Sequence, residues 1–208
     1  ALVEAALNKG LSGLGNTYEI RESRKVDATI SDDIKFSAIT SVALALLFIF
    51  LYVAVRFKNW QFGVGALLSL LHDALALLGL YSILYKVMPF SMEIDEAFIA
   101  AILTVIGYSI NDTVVVFDRI REYMQDHKRE SNITVINKAI NSTLGRTMNT
   151  SLTTLLVLFV IFLFGGVSIK GFIFALLIGI LVGTYSSVFV ASSFVVDLLK
   201  GKERKENV

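Results

Sequence analysis

The 208-residue sequence has no cysteine, one proline, one tryptophan and two histidines. Without cysteine there is neither a disulfide framework nor a thiolate metal site, and the redox compartment stays unread. His72 and His127 are too far apart in sequence to suggest an imidazole metal pair. No Walker loop, HExxH helix or Gly-x-Ser-x-Gly elbow occurs, so nothing supports nucleotide-driven work or hydrolysis. An enzyme is not expected, nor a bound cofactor, metal or nucleic-acid partner. Any energy source should be an ion gradient.

What the sequence has in excess is apolar side chain. Hydrophobic residues make up 55% of it, mean hydropathy is +0.69, and a soluble core of this size cannot hide so much. The bilayer is the expected solvent. The formal net charge of +1 says little; the segregation of charges into short blocks between long apolar runs says more.

A spanning helix needs roughly 20 mainly apolar residues, because about 30 Å of hydrocarbon is crossed at about 1.5 Å per residue. Five windows qualify, at Phe36–Val55, Phe62–Tyr85, Ala97–Val116, Met148–Phe164 and Phe172–Val196. Basic residues follow the first span (Arg56, Lys58), fill the link between the third and fourth (Arg119, Arg121, Lys128, Arg129, Lys138, Arg146) and follow the fifth (Lys200, Lys202, Arg204, Lys205). By the positive-inside rule those sides are cytoplasmic, the basic tail 199–208 included, and residues 1–35 lie outside.

Residues 1–35 read as soluble structure, with a short helix over Leu2–Leu11 ending near Gly10 and one or two strands over Thr17–Ile30. The stretch is too short to hold a core alone. Ala1 opens the sequence with neither an initiator Met nor a leader, so the stretch is expected to be the end of an extracytoplasmic domain begun upstream, with Ser31–Lys35 as a hinge. The expected fold class is therefore an all-α polytopic bundle of five transmembrane helices behind a short α/β remnant. Between Asp118 and Gly145, Ile133, Ile136, Ile140 and Leu144 recur at helical spacing. They predict an amphipathic connector at the membrane surface, capped by Ser131 or Asn132 and ended by Gly145.

An ionised side chain at mid-membrane costs on the order of 3 kcal/mol on insertion scales, so each calls for a partner or a job. His72 and Asp73 lie mid-way along the second span, Asn111 and Asp112 well inside the third, and Arg146 at the entry to the fourth. Arg146, Asn149, Thr150 and Thr153 share a helix face and predict a polar seam. Asp112 is its natural complement. A carboxylate and a guanidinium stabilise each other's charged forms, and a proton arriving on the carboxylate releases the arginine. The alternative is a static interhelical pair, or an arginine that snorkels to the interface. Asp73 has a local partner in the adjacent His72. On the fifth span Ala175, Gly179, Gly183, Ser187 and Ala191 recur every four residues and predict a smooth face lying tightly against another helix. Gly107 and Ser109 are expected to allow close approach or a local bend.

Gly107-Tyr-Ser-Ile-Asn-Asp-Thr-Val-Val-Val-Phe-Asp-Arg-Ile-Arg-Glu122 resembles the signature of the SecF family, as do Arg146-Thr-Met-Asn-Thr-Ser-Leu-Thr-Thr154 and Gly179-Ile-Leu-Val-Gly-Thr-Tyr-Ser-Ser187. With His72-Asp73 the similarity runs from about Ser31 to the end. The resemblance implies the resistance-nodulation-division superfamily, in which six-helix halves pair in the membrane. The first helix and most of the extracytoplasmic domain of that pattern do not occur in this sequence. It further implies a subunit of the bacterial inner membrane that works beside SecD, or as the SecF half of a fused SecDF. There it assists the SecYEG and SecA translocon in moving preproteins with the proton motive force. Asp112 and Arg146 fall on the family's proton-coupling positions, with Asn111 beside them and Asp73 as a lesser candidate. The competing reading is a passive scaffold acting through the Gly179, Gly183 and Ser187 face; another exporter of the same superfamily, for lipids or drugs, is a more distant one.

Overall fold

The computed structural model describes residues 7, 9, 10, 32–127 and 130–206. The chain divides into two units, Ala1–Ile30 and Ser31–Val208. In the first, Leu7, Lys9 and Gly10 are helical; the strands expected over Thr17–Ile30 lie outside the described residues. The second unit is all helix apart from its links: α1 (Asp32–Phe57), α2 (Trp60–Leu84), α3 (Glu96–Asp126), α4 (Asn132–Phe164), α5 (Val167–Tyr185), a π turn (Ser186–Val190) and α6 (Ala191–Glu206). The last three run on as one rod, and the described residues hold five helices long and apolar enough to cross a membrane. In lipid every backbone polar group must be satisfied within its own segment, which is why these runs are helical.

The links are short and chemically marked. Lys58, at φ 56°, makes the tight reversal between α1 and α2. Asp95 caps α3, its carboxylate accepting from Phe98 N–H at 2.9 Å. Ser131, one of the two expected caps, starts α4 by accepting from Thr134 N–H at 3.3 Å. Gly165 N–H closes the end of α4 onto Ile161 O at 2.7 Å.

Three expectations about helix ends change. Asp32–Lys35 belong to α1 and are not a hinge. The 31 residues of α3 and the 33 of α4 correspond to about 46 and 50 Å, well beyond a hydrocarbon core of about 30 Å. The amphipathic connector is therefore the paired extensions of these two helices. Ile136 and Ala139 are buried in one cluster with Phe117 and Ile120 of α3, whereas Ile133 is exposed. Its apolar face packs on protein instead of lying along the membrane surface. Gly145 does not end the helix, because the apolar and threonine-rich residues that follow carry it on unbroken to Phe164.

Two apolar clusters stack along the bundle. One, at the end rich in basic residues, gathers Phe57, Phe62, Phe117, Ile120 and Val195; Arg56 and Arg121 lie over the Phe57 ring at 5.5 and 5.8 Å. The other gathers Leu77, Tyr81, Met92, Phe98, Val105 and Ile173. Between them Ser69, Asp73, Ser109, Asp112, Thr113, Ser151, Thr184, Ser186 and Ser187 form a layer of buried polar side chains.

The π turn has a cause that can be read from the small-residue stripe. Four residues of α-helix turn about 400°, so a stripe repeating every four drifts about 40° per step. From Ala175 to Ala191 that drift would carry the stripe off its face. A turn with an i→i+5 bond holds an extra residue and resets the drift; the bond runs from Ala191 N–H to Ser186 O. As a result Ala175, Gly179, Gly183, Ser187, Ala191 and Val195 are all buried.

Candidate functional site

The polar layer is assembled by three tight helix contacts. A Cβ on Gly179 would overlap the Val105 side chain, and one on Gly183 would sit 3.1 Å from Ser109 Cβ and 3.7 Å from Asp73 Oδ2. A Cβ on Gly65 would lie 3.1 Å from Ala191 O. Bare backbone at these positions brings the fifth span against α3 and α2 closely enough for short side chains to bond across the gap. The smooth face is thus occupied within the chain, by α3 and α2. It is not free for the scaffold role considered above.

Asp73, fully buried on α2, accepts a hydrogen bond from Ser109 Oγ at 2.6 Å. His72 Nδ1 lies 3.2 Å from its other oxygen. Ser109 Oγ is 3.4 Å from Ser187 Oγ, and Thr113 donates to Ser187 Oγ at 3.0 Å. This network ties α2, α3 and the π turn together.

Asp112 is 4% exposed and one helical turn from Ser109. Its Oδ2 accepts from Ser151 Oγ at a long 3.5 Å, and Ser151 accepts from Thr184 Oγ at 2.6 Å. This second network ties α3 to α4 and α5. No ion pair joins Arg146 to the Asp112 carboxylate among the described residues. In place of the expected direct pair, Asp112 bonds the Ser151 hydroxyl. On α4 the arginine lies five residues before Ser151, roughly one and a half turns, and eight before Thr154, roughly two, and its side chain is exposed.

The remaining expected seam residues stand apart. Asn149, Thr150 and Thr153 are exposed; Thr150 donates to Arg146 O and Thr153 to Asn149 O, at 3.0 Å each. Their hydroxyls are spent on their own helix, and the face that meets α3 and α5 is Thr143, Thr147 and Ser151 instead. Asn111 is exposed, outside the bonds around Asp112. Thr154 does reach α3, accepting from the Tyr108 hydroxyl at 3.3 Å.

Sequence reasoning missed Thr113, Ser151 and Thr184 and gave Ser109 only a packing role. A signal was present. Ser109 and Thr113 stand three and one residues from Asp112 on one helix, and Ser151 follows Thr147 at four.

Five apolar helices enclosing two carboxylates at mid-depth define a polytopic membrane protein with an ionisable interior. Over residues 6–201 the chain matches the family described as Protein export membrane protein SecD/SecF, C-terminal. It is 52% identical over 180 residues to the Protein translocase subunit SecF of Rhodothermus marinus, covering 86% of this chain and 58% of that protein. Two crystal structures share the fold. SecDF in a super-membrane-facing form matches with TM-score 0.78 and 36% identity, over all of this chain and 27% of that one. SecDF of Thermus thermophilus, a translocon-associated membrane protein, matches with TM-score 0.76 and 37% identity, over 95% and 26%. The chain belongs to the SecD/SecF family of protein-export membrane proteins, and it spans little more than half the length of the SecF relative it matches.

Proposed function

We propose that this chain is the membrane part of a SecF-type subunit that uses the proton motive force to promote preprotein export, with Asp112 as the group that takes up and releases the proton. The observation that carries this reading is the setting of Asp112. It is buried between three helices and held by one long hydroxyl bond, with no ion pair to Arg146 among the described residues. An intramembrane carboxylate so loosely held can change its proton occupancy without breaking a strong bond.

Ionised, Asp112 accepts from Ser151 and draws Arg146 towards it. Protonated, it becomes a hydrogen-bond donor and its attraction for Arg146 ends, so the exposed guanidinium is released to other partners. Moving one charge through the membrane field supplies about 2.3 kcal/mol per 100 mV, enough to bias a two-state bundle. Asp73 is the second carboxylate of the device, held more firmly by Ser109.

The basic end of the bundle faces the cytoplasm of a bacterium in this reading. The partners are SecD or a SecD half of the same polypeptide, the SecYEG translocon, SecA and the preprotein, all within the inner membrane or at its surface. The name of the SecF relative and the translocon association of the SecDF neighbour support this assignment. The test uses the longer parent protein with its SecD part, reconstituted beside the translocon in vesicles. Asp112→Asn is expected to abolish gradient-stimulated preprotein transport while assembly persists. Unchanged stimulation would sink the proposal.

A further inference from the structure

Two carboxylates on different helices connect to the same turn of the fifth span. Thr184 ends one row of hydroxyls, through Ser151 to Asp112. Ser187 ends the other, through Ser109 to Asp73. The π turn begins between them, at Ser186. Each of the two hydroxyls carries one proton and has acceptors on two sides. Thr184 Oγ is 2.6 Å from Ser151 Oγ and 2.7 Å from the carbonyl of Ile180, one turn back on its own helix. Ser187 Oγ is 3.4 Å from Ser109 Oγ and 3.1 Å from Ser109 O on one side, and 2.8 Å from the carbonyl of Gly183 on the other.

Proton occupancy decides which side is used. With Asp112 ionised, Ser151 donates to it and Thr184 donates to Ser151. With Asp112 protonated, the carboxyl donates to Ser151, the Ser151 hydrogen turns to Thr184, and the Thr184 hydrogen turns to Ile180 O. The one added proton stays on Asp112 and no hydroxyl gains or loses its own. The same reversal runs from Asp73 through Ser109 and Ser187 to Gly183 O. That carbonyl already accepts from Ser186 N–H and from Ser186 Oγ at 3.2 Å. Side-chain bonds to carbonyls a turn back loosen and bend a helix, and here both arrive on the turn that precedes an irregular one.

We infer that Thr184 and Ser187 are positioning residues that carry the proton occupancy of Asp112 and Asp73 to the π turn, coupling the two carboxylates through one helix. This rests on the proton-coupling reading above. Facing the carboxylates are His72 on α2 and Arg146 on α4, with the Tyr108 phenol on α3 engaged by Thr154; the fifth span presents only hydroxyls to them.

The test is an infrared titration of the Asp112 carboxyl in the longer parent protein with its SecD part, isolated as the difference from Asp112→Asn. Thr184→Val keeps the shape and removes the proton; Thr184→Ser keeps the hydroxyl. The midpoint is expected to move by about half a pH unit or more in Thr184→Val and to stay at the wild-type value in Thr184→Ser. Asp73→Asn is expected to move the Asp112 midpoint in the wild-type background and to have no such effect in Ser187→Ala. Equal midpoints in wild type and Thr184→Val, or a Thr184→Ser variant that behaves as the valine one, overturn the role of Thr184. If the valine variant does not assemble, the Ser187 pair decides, and an Asp73→Asn shift that survives Ser187→Ala overturns the coupling. Proton flux that persists in Asp112→Asn would defeat the proton-coupling reading separately, since the infrared midpoints do not depend on flux.

Discussion

The two buried carboxylates sit within a few turns of each other and are held in opposite ways. Asp73 is fully buried and receives a 2.6 Å hydroxyl bond, with His72 beside its second oxygen. Asp112 is nearly as buried, yet its one hydroxyl contact is 3.5 Å long. The first arrangement stores structure, because removing the acceptor strands a buried donor. The second stores little structure and leaves the group free to change state. Burial alone therefore does not rank the two carboxylates by how readily they change state; the quality of their bonds does.

Both sites depend on the contact between α3 and the fifth span, so the broadest perturbation falls there. Gly179→Val places side chain where Val105 already lies and is expected to cost about 3 kcal/mol through overpacking. Thermal unfolding in detergent checks this, with Gly107→Val as the comparison. A Cβ there meets nothing within 4 Å, and a change within about 0.5 kcal/mol is expected.

Asp73→Ala comes next. Ser109 loses its carboxylate acceptor inside the bundle, at an expected cost of about 2 kcal/mol, whereas Asp112→Asn should stay within about 0.5 kcal/mol of wild type. Equal losses of stability at the two positions would erase the distinction drawn between them.

The smallest effect lies far from the site. Lys138 Nζ bonds both Glu130 oxygens at 2.8 Å and holds that carboxyl below its usual range, the hydrogen bond acting more strongly than the charge. The contribution is present at neutral pH, above the unfolded carboxyl's range, and is lost as pH falls through the lowered folded value. Glu130→Gln should therefore unfold slightly below wild type at neutral pH and match it in acid, in a pH series of melting temperatures. The pair is exposed and screened, so a large difference would be unexpected.

The five spans were legible because lipid leaves a helix no alternative and because apolar runs of that length have no other use. The extensions of α3 and α4 were less so. Polar residues beyond the hydrocarbon core remain helical when a partner helix covers their apolar side, as Phe117 and Ile120 cover Ile136, and Gly145 alone does not stop such a helix. Asp73 and Asp112 stood out by charge. Ser151 and Thr184 did not, because a hydroxyl in a helix can satisfy itself on the carbonyl a turn back. Thr150 and Thr153 do that at the surface, while Thr184 reaches across to Ser151 as well. The spacing of Thr147 and Ser151 marks a shared face, but which hydroxyl bridges and which folds back is decided by the neighbouring helix. The π turn was foreshadowed by the mismatch between a four-residue stripe and the 3.6-residue helix, a cue visible before any coordinates.

The most direct measurement is proton flux into vesicles that hold the longer parent protein with its SecD part, comparing wild type, Asp73→Asn and Asp112→Asn at equal assembly. Flux that disappears in Asp112→Asn is the result predicted here, with Asp73→Asn weakening it less. Wild-type flux in Asp112→Asn would contradict the account, because the loosely held carboxylate would then have no part in moving the proton.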